Sequence, residues 1–483
     1  MAVEAYDVVV IGGGGAGLAA AIEARAAGAR VVLLEKNDKL GGSTAWSVGS
    51  VTSTQTPHQQ RAGIEDNPRD HWADMPGFAG ELAARDNDAL RRVLCDHIPD
   101  SMRWLMSLGV RFYGPMPEPP HRKPRMHTVL PNSLSFIYHL GRHAREAGVD
   151  IRFGMRAAEL TTAQGRVSGV RCADGSVFEA RRGVVLAAGD FTNDPELKAR
   201  YIGAQEAKVE GVNVTATGDG QKLALALGAR IVNGDLALGP EIRFIAPAKP
   251  NFLRALPPTP FVAATMQWAM EHLPQRLLRP FVMSFLTTAL APSVTLFDRG
   301  ARLVNRDGRR FCDERGKPAL ALADQPGKVG YILIDGALAQ RFSAWPHFVS
   351  TAPGIAYAYV PDYRRNRPDV FTEAGSIDDL GRRLKMDAAA LRESASDLKQ
   401  APYIALGPVR PVFVHNEGGL AVDIEHRVLG TNDAVIPGLW AAGSTGQGGL
   451  LLKGHGHHLA WAFVSGRRAG RFAAYNAVSA NLD

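Results

Sequence analysis

The 483-residue chain has only three cysteines, Cys95, Cys172 and Cys312, and no CxxC pair. So small and scattered a set builds neither a disulfide framework nor a thiolate zinc site, and it cannot hold iron–sulfur clusters. No CxxCH haem-attachment motif and no second GxGxxG occur, which excludes an NAD(P)H disulfide reductase and a built-in haem relay. Long apolar runs are lacking too. The most span-like stretch, Pro280–Phe297, is broken by two prolines, two serines and three threonines. Met1–Asp7 carries two acids and no base, so no signal peptide is expected and a reducing cytoplasm is the expected location. Charge of one sign is scarce: 55 Lys+Arg against 48 Asp+Glu leaves +7 spread over the chain. That balance suits anionic small ligands and gives no nucleic-acid groove. With 46% apolar and 21% charged residues, wholesale disorder is excluded.

Glycine is plentiful, 51 residues in all, and it clusters. Tyr6–Ile11 reads as a buried strand, Gly12–Gly17 as a turn, Leu18–Ala27 as an alanine-rich helix, and Val31–Leu34 as a second buried strand ending at Glu35. Within this βαβ unit, Gly12-x-Gly14-x-x-Gly17 is the dinucleotide fingerprint. Gly12 permits the tight turn, Gly14 lets backbone approach a pyrophosphate, and Gly17 lets helix pack on strand. Free N–H groups at the helix start face the phosphates. The carboxylate of Glu35 suits ribose hydroxyls.

Two further features favour FAD over NAD. Leu40-Gly41-Gly42-Ser43-Thr44 offers N–H and hydroxyl groups to an isoalloxazine ring. The C-terminal Ile436–Gly443 repeats the strand-to-glycine grammar, followed by an alanine-rich helix to Ala473. Between 66 and 110 the pattern is mostly helical, and Arg111–Asn132, with six prolines, reads as irregular. Val149–Phe153, Ala158–Thr162, Val167–Arg171 and Val177–Ala180 read as antiparallel strands, and Gly183–Gly189 as a separate buried strand. Ile377–Leu398 reads as an amphipathic helical region. The expected fold is α/β: a Rossmann-type FAD-binding domain formed by 1–239 and 409–483, with an α+β domain inserted at 240–408. No internal repeat is present.

These residues carry a family resemblance over nearly the whole chain. With Ala187–Phe191, Thr217–Gly220, Asn305–Glu314 and His415–Gly419, they resemble the FAD-dependent flavoproteins that include soluble fumarate reductases, the succinate dehydrogenase flavoprotein subunit, urocanate reductase and 3-ketosteroid Δ1-dehydrogenases. Members with covalent FAD carry a histidine where this chain has Ser43-Thr44, so the resemblance implies non-covalent FAD. It implies cofactor contacts from Gly12, Gly14, Gly15, Ala16, Gly17, Glu35, Lys36, Gly42, Ser43, Thr44, Ala188, Gly189, Asp219, Gly443, Ser444, His458 and Leu459. It makes the insertion a capping domain that excludes water from a flavin hydride.

The shared reaction moves a hydride between flavin N5 and a carbon near a carbonyl, and a proton at the adjacent carbon. By resemblance, His415 binds the carbonyl or carboxylate end of the substrate. Lys453 stands where fumarate reductases place an arginine, and lysine cannot grip a carboxylate bidentately. Gly456 matches a ketosteroid-dehydrogenase glycine whose N–H holds the ketone oxygen, but the partnering tyrosine is replaced by Leu452. Arg315 lies near the fumarate reductase proton-donor position, arriving too early for a gapless match. Tyr359 is a candidate base for a proton α to a ketone. The run Gly454-His455-Gly456-His457-His458 has no carboxylate or cysteine spaced with it, so no metal is expected there.

The expected enzyme is an FAD-dependent dehydrogenase forming a C=C bond α,β to the carbonyl of a cyclic or apolar ketone. The alternative is an ene-reductase of an unsaturated carboxylic acid, clamped by His415, Lys453 and Arg410. The electron donor or acceptor is a separate, unidentified partner. The apolar segment 261–297, with Phe261, Trp268, Leu277 and Phe281, reads as a buried cap helix, a substrate mouth or a membrane-surface contact.

Overall fold

The computed structural model describes residues 3–247, 252–352 and 356–476. From the N-terminus come β1 (Val3–Ile11), α1 (Gly15–Ala26), β2 (Val31–Glu35), α2 (Gly42–Trp46), β3 (Ser50–Thr52), α3 (Pro68–Asp74) and α4 (Asp88–Ser107). β4 (Arg111–Met116) and β5 (Met126–Leu130) follow, then β6 (Asp150–Phe153), β7 (Ala157–Ala163), β8 (Arg166–Cys172), β9 (Val177–Leu186) and α5 (Asp219–Leu225). The middle holds β10 (Glu241–Phe244), α6 (Pro260–His272), α7 (Gln275–Ala289), β11 (Arg302–Asn305), β12 (Gly330–Ile334), α8 (Val360–Asn366), β13 (Phe371–Ala374) and β14 (Tyr403–Phe413). β15 (Arg427–Leu429), β16 (Val435–Ala441) and α9 (His457–Tyr475) end the chain.

The main sheet runs β15-β16-β9-β1-β2-β6, with β8 and β7 added antiparallel beside β9. β1, β2, β9 and β16 are wholly parallel neighbours, and their Val- and Leu-rich sequences are buried because helices cover such sheets. Two strand expectations change. β6 is a parallel partner of β2, from Val32↔Asp150 to Glu35↔Phe153, and not part of the antiparallel meander. Val177–Ala180 and the start of Gly183–Gly189 are one strand, β9, which follows β1 along its length past a bulge at Tyr6/Val8.

Arg111–Asn132 is not irregular throughout: β4 and β5 join β3 in a three-stranded sheet, β3-β5-β4. Pro117, Pro119, Pro120 and Pro124 fall in the loop between β4 and β5, and Pro115 sits at a register shift, where no ladder N–H is needed. The amphipathic region 377–398 is two helices, Ile377–Leu384 and Ala388–Ser394, separated at Lys385 with φ 58°.

The chain ends meet through small residues. A Cβ on Gly466 or Gly470 of α9 would lie 2.3 Å from Ala16 O or 2.1 Å from Ala20 O of α1. Only glycine permits this crossing, which brings the C-terminal loop onto the fingerprint helix. A second apolar core, including Ile242, Leu303, Ile332, Tyr363 and Leu406, surrounds a sheet in which β14 pairs with β10, β12 and β13. α6 and α7 lie at its margin. Phe261 is 80% exposed, Trp268 55% and Phe281 52%, so this segment is not an ordinary buried cap helix. The side chains of Arg276, Phe285 and Leu286 lie outside the described residues. Among the described residues, no helix is long and apolar enough to cross a membrane.

Candidate active site

The cleft beside the fingerprint is built by close backbone approach. Gly12 has φ +106°, and a Cβ there would sit 2.4 Å from Ala187 O. A Cβ on Gly17 would sit 1.8 Å from Gly12 O, so α1 starts hard against the end of β1. Gly14 caps α1 with no side-chain bond, leaving the helix N–H groups toward the cleft. The Gly15 N–H donates to Thr44 Oγ1 (3.1 Å). Glu35 Oε2 accepts from Gly13 N (2.7 Å), and Oε1 from Asn37 N (2.8 Å) and Nδ2 (2.7 Å). Each carboxylate oxygen has two lone pairs, so hydroxyl donors can still be received.

The cleft is open to solvent, and its non-atom space of about 810 Å³ includes that open part. It is lined by Gly12, Gly14, Gly15, Ala16, Glu35, Lys36, Gly42, Ser43, Thr44, Ala188, Gly189, Asp219, Gly443 and Ser444. Lys36 Nζ bonds Asp219 Oδ2 (2.9 Å) and Thr217 Oγ1 (2.6 Å). Burial opposes the charge of Asp219, but Lys36 and Arg156 outweigh it and hold the carboxyl below its ordinary value. Three expected residues stand apart from the lining. Gly17 acts by packing, Leu459 belongs to the core, and His458 belongs to the cluster described next. Asn213, which donates to Ser43 Oγ (3.0 Å), and Thr215 also line the cleft, and no motif marks them. A free helix N-terminus, a wall of backbone and a carboxylate at the end of β2 fit an extended dinucleotide.

Beyond Gly443 the chain builds a second cluster. Glu417, on the turn after β14, is fully buried. Its Oε2 accepts from Gln447 Nε2 (2.6 Å) and Leu452 N (3.1 Å). Among the described residues its Oε1 has no hydrogen-bond partner, yet Lys453 Nζ stands 3.5 Å away, His415 Nε2 3.7 Å and His458 Nε2 3.8 Å. The His415 and His458 rings are 3.9 Å apart. Burial drives His458 down to about 3, so it is neutral near pH 7. Burial works against the charge of Glu417, but His415 and the Leu452 N–H outweigh it, and the carboxyl sits well below its usual range.

Gly456 caps α9 at φ +87°, and a Cβ there would press on Thr52 N at 2.7 Å. Thr52 Oγ1 donates to His455 O (2.6 Å), and Glu118 Oε1 receives His455 N (2.8 Å) and Nδ1 (2.5 Å). His455 is thus tied to the β4–β5 loop. Two candidates are not brought to this cluster. Arg315 is exposed on a turn where its N–H donates to Asp313 Oδ1 (3.1 Å). Tyr359 caps α8, its N–H donating to Asp362 Oδ2 (2.9 Å), with the Arg279 guanidinium 5.9 Å from its ring. Among the described residues, no hydrogen bond, ion pair or ring contact joins either to Glu417, His415 or Lys453.

A dinucleotide cleft of this form, together with a buried carboxylate that has lysine and imidazole neighbours, fits a flavin-dependent oxidoreductase. A family model described as FAD binding domain, FAD_binding_2, matches residues 7–241 and 294–451, and the chain belongs to that family. It is an enzyme whose cofactor is FAD. The chain is similar to a probable fumarate reductase of Shewanella frigidimarina (27% identity, covering 98% of this chain and 76% of that protein). Among solved structures, it is similar to the open conformation of a flavocytochrome c3 fumarate reductase (TM-score 0.71, 25% identity, 98% of this chain, 78% of the other). It also shares the fold of the 3-ketosteroid-Δ4-(5α)-dehydrogenase of Rhodococcus jostii (TM-score 0.60, 23% identity, 98% and 97% covered).

Proposed function

We propose that this flavoenzyme is a dehydrogenase that introduces a C=C bond α,β to the carbonyl of a cyclic or apolar ketone. The observation that carries this reading is the 3.5 Å separation of Lys453 Nζ from buried Glu417. The lysine charge is already answered within the protein, and His458 beside it is neutral. The pocket therefore suits a neutral carbonyl better than a dicarboxylate, whose entry beside Glu417 would meet like charge.

Bound FAD supplies the hydride acceptor. Lys453 and the Gly456 N–H, at the positive end of α9, hold the carbonyl oxygen and stabilise negative charge developing there. His415 takes the proton from the α-carbon, with Glu417 orienting its ring. Arg315 and Tyr359 stay outside this assignment. Residues 1–239 and 409–483 are assigned to holding the cofactor, and 240–408 to capping the site and excluding water. The exposed Phe261, Trp268 and Phe281 form an apolar mouth.

A second reading runs the chemistry backwards, as an ene-reductase of an unsaturated carboxylic acid. It is favoured by the fumarate reductase names of the similar Shewanella protein and of the flavocytochrome structure. His415, Lys453 and Arg410 would then clamp the acid, and a partner would deliver electrons. Turnover with a dye acceptor across cyclic ketones and 3-oxo steroids, against turnover of unsaturated acids with a reduced dye, separates the two. Activity only in the second panel removes the ketone reading.

A further inference from the structure

At the first turn of α9, three imidazoles from distant parts of the chain converge. His71 lies on α3, His121 in the β4–β5 loop, and His457 begins α9. All three are buried. Their ring centroids form a nearly equilateral triangle: 5.3 Å between His71 and His121, 5.3 Å between His121 and His457, and 5.5 Å between His71 and His457. One nitrogen from each lies within 4.8 Å of the others.

One spacing within this triangle matches that between metal ligands. His71 Nε2 and His457 Nε2 face each other at 3.3 Å, longer than a good hydrogen bond. Zinc–nitrogen bonds of about 2.0–2.1 Å at a tetrahedral angle set ligand nitrogens roughly 3.3–3.4 Å apart. Among the described residues, His71 Nδ1 and His121 Nε2 have no hydrogen-bond partner, an expensive state for buried polar atoms. His457 Nδ1 bonds the Lys453 carbonyl at 2.5 Å, which fixes its proton there and leaves Nε2 as a lone pair toward the triangle. The Phe78 ring, 4.7 Å from His121 and 5.5 Å from His457, covers one side.

We propose that His71, His121 and His457 form a binding site for an imidazole-preferring divalent ion of the zinc class. The site lies apart from the His415–Glu417–His458 cluster. Ligation through Nε2 requires His121 to carry its proton on Nδ1. In the structure that atom accepts from Arg125 Nη1 at 3.0 Å, with Asp74 Oδ2 at 4.0 Å, so metal binding must move the ring proton from Nε2 to Nδ1 at the expense of the Arg125 bond. Arg125 is already neutralised by Asp66 (2.7 Å) and Asp74 (2.5 Å), which limits its repulsion of a cation. The ion would staple α3 and the β4–β5 loop to the turn that presents Lys453 and Gly456. This function is structural and does not depend on which substrate is oxidised.

The test uses full-length FAD-loaded protein without a histidine tag, stripped with a chelator, incubated with Zn²⁺ alone and desalted. Metal analysis is expected to find about one zinc per chain in the wild type. His71→Gln and His121→Gln should each retain at least fivefold less, with FAD content unchanged, while His415→Asn retains the wild-type amount. Zinc should also raise the thermal midpoint of the wild type and not that of His71→Gln. Wild-type protein that keeps no zinc, or zinc lost on His415→Asn but kept on His71→Gln, overturns the site.

Discussion

Lys453 Nζ lies 3.5 Å from Oε1 of Glu417, a side chain with no exposure to solvent. The pair places a cation at the turn before α9 while keeping the local charge near zero. Breaking either side has opposite consequences for neutral and anionic ligands. Glu417→Gln leaves Lys453 without its counter-charge. It is expected to lower kcat/KM for ketones about 10- to 100-fold and to tighten inhibition by dicarboxylates about tenfold. Steady-state kinetics with FAD content measured in parallel checks this. Unchanged selectivity would remove Glu417 from the charge balance.

Lys453→Met should cost about 10²–10³-fold in kcat/KM, the usual loss on removing one donor to developing oxyanion charge. Lys453→Arg is the sharper substitution. A guanidinium grips a carboxylate through two bonds but gains nothing from a single carbonyl oxygen. Arginine should therefore improve binding of unsaturated acids and leave ketone turnover below wild type. A gain on ketones would contradict the assignment.

Gly17→Ala is expected to strip the cofactor. Its Cβ would lie 1.8 Å from Gly12 O, so α1 must move off the strand. Overpacking of that kind costs about 1–3 kcal/mol, or roughly 5- to 150-fold in FAD affinity if the strain falls on the bound form. Flavin fluorescence titration reads this directly, and affinity within twofold of wild type would place the cofactor elsewhere.

Acid should unfold the protein abruptly. Burial holds His127, His426 and His458 down to about 3 and His121 down to about 2. Their unfolded value is about 6.5, so between that pH and about 3 the unfolded chain binds protons that the folded chain refuses. Their stabilising contribution is thus complete above pH 6.5 and is lost as pH falls. Each histidine removes about 1.4 kcal/mol per pH unit in that window. Denaturant midpoints should be flat from pH 7 to 8 and fall steeply below 6. A flat profile to pH 4.5 would mean that these rings are solvated.

Phe261 and Trp268, exposed on α6, are assigned to the substrate mouth. Replacing both with serine should raise KM for apolar ketones several-fold with kcat nearly unchanged. A loss confined to kcat would move them from the mouth to the chemistry.

Much of the cofactor half was legible because its physics is local. A glycine at φ +106° between a buried strand and a helix, with Glu35 closing the next strand, is written within one βαβ unit. The substrate half was not. Glu417 looks like any acid in a turn, and only the fold gathers Lys453, His415 and His458 around it. His71 and His121 carry no spacing signal, since their partner His457 lies more than 300 positions away. Asn213 entered the cleft with equally little warning. The antiparallel expectation for Asp150–Phe153 failed because strand type is written in the sequence while strand pairing is set by the sheet.

The most direct test of the central claim is anaerobic. The oxidised, FAD-loaded enzyme is mixed with cyclic ketones and 3-oxo steroids while its visible flavin absorbance is followed and the product is analysed. The account predicts rapid bleaching, with one desaturated product formed per flavin reduced. An absence of bleaching by any ketone, together with reoxidation of the chemically reduced enzyme by unsaturated acids, would contradict it.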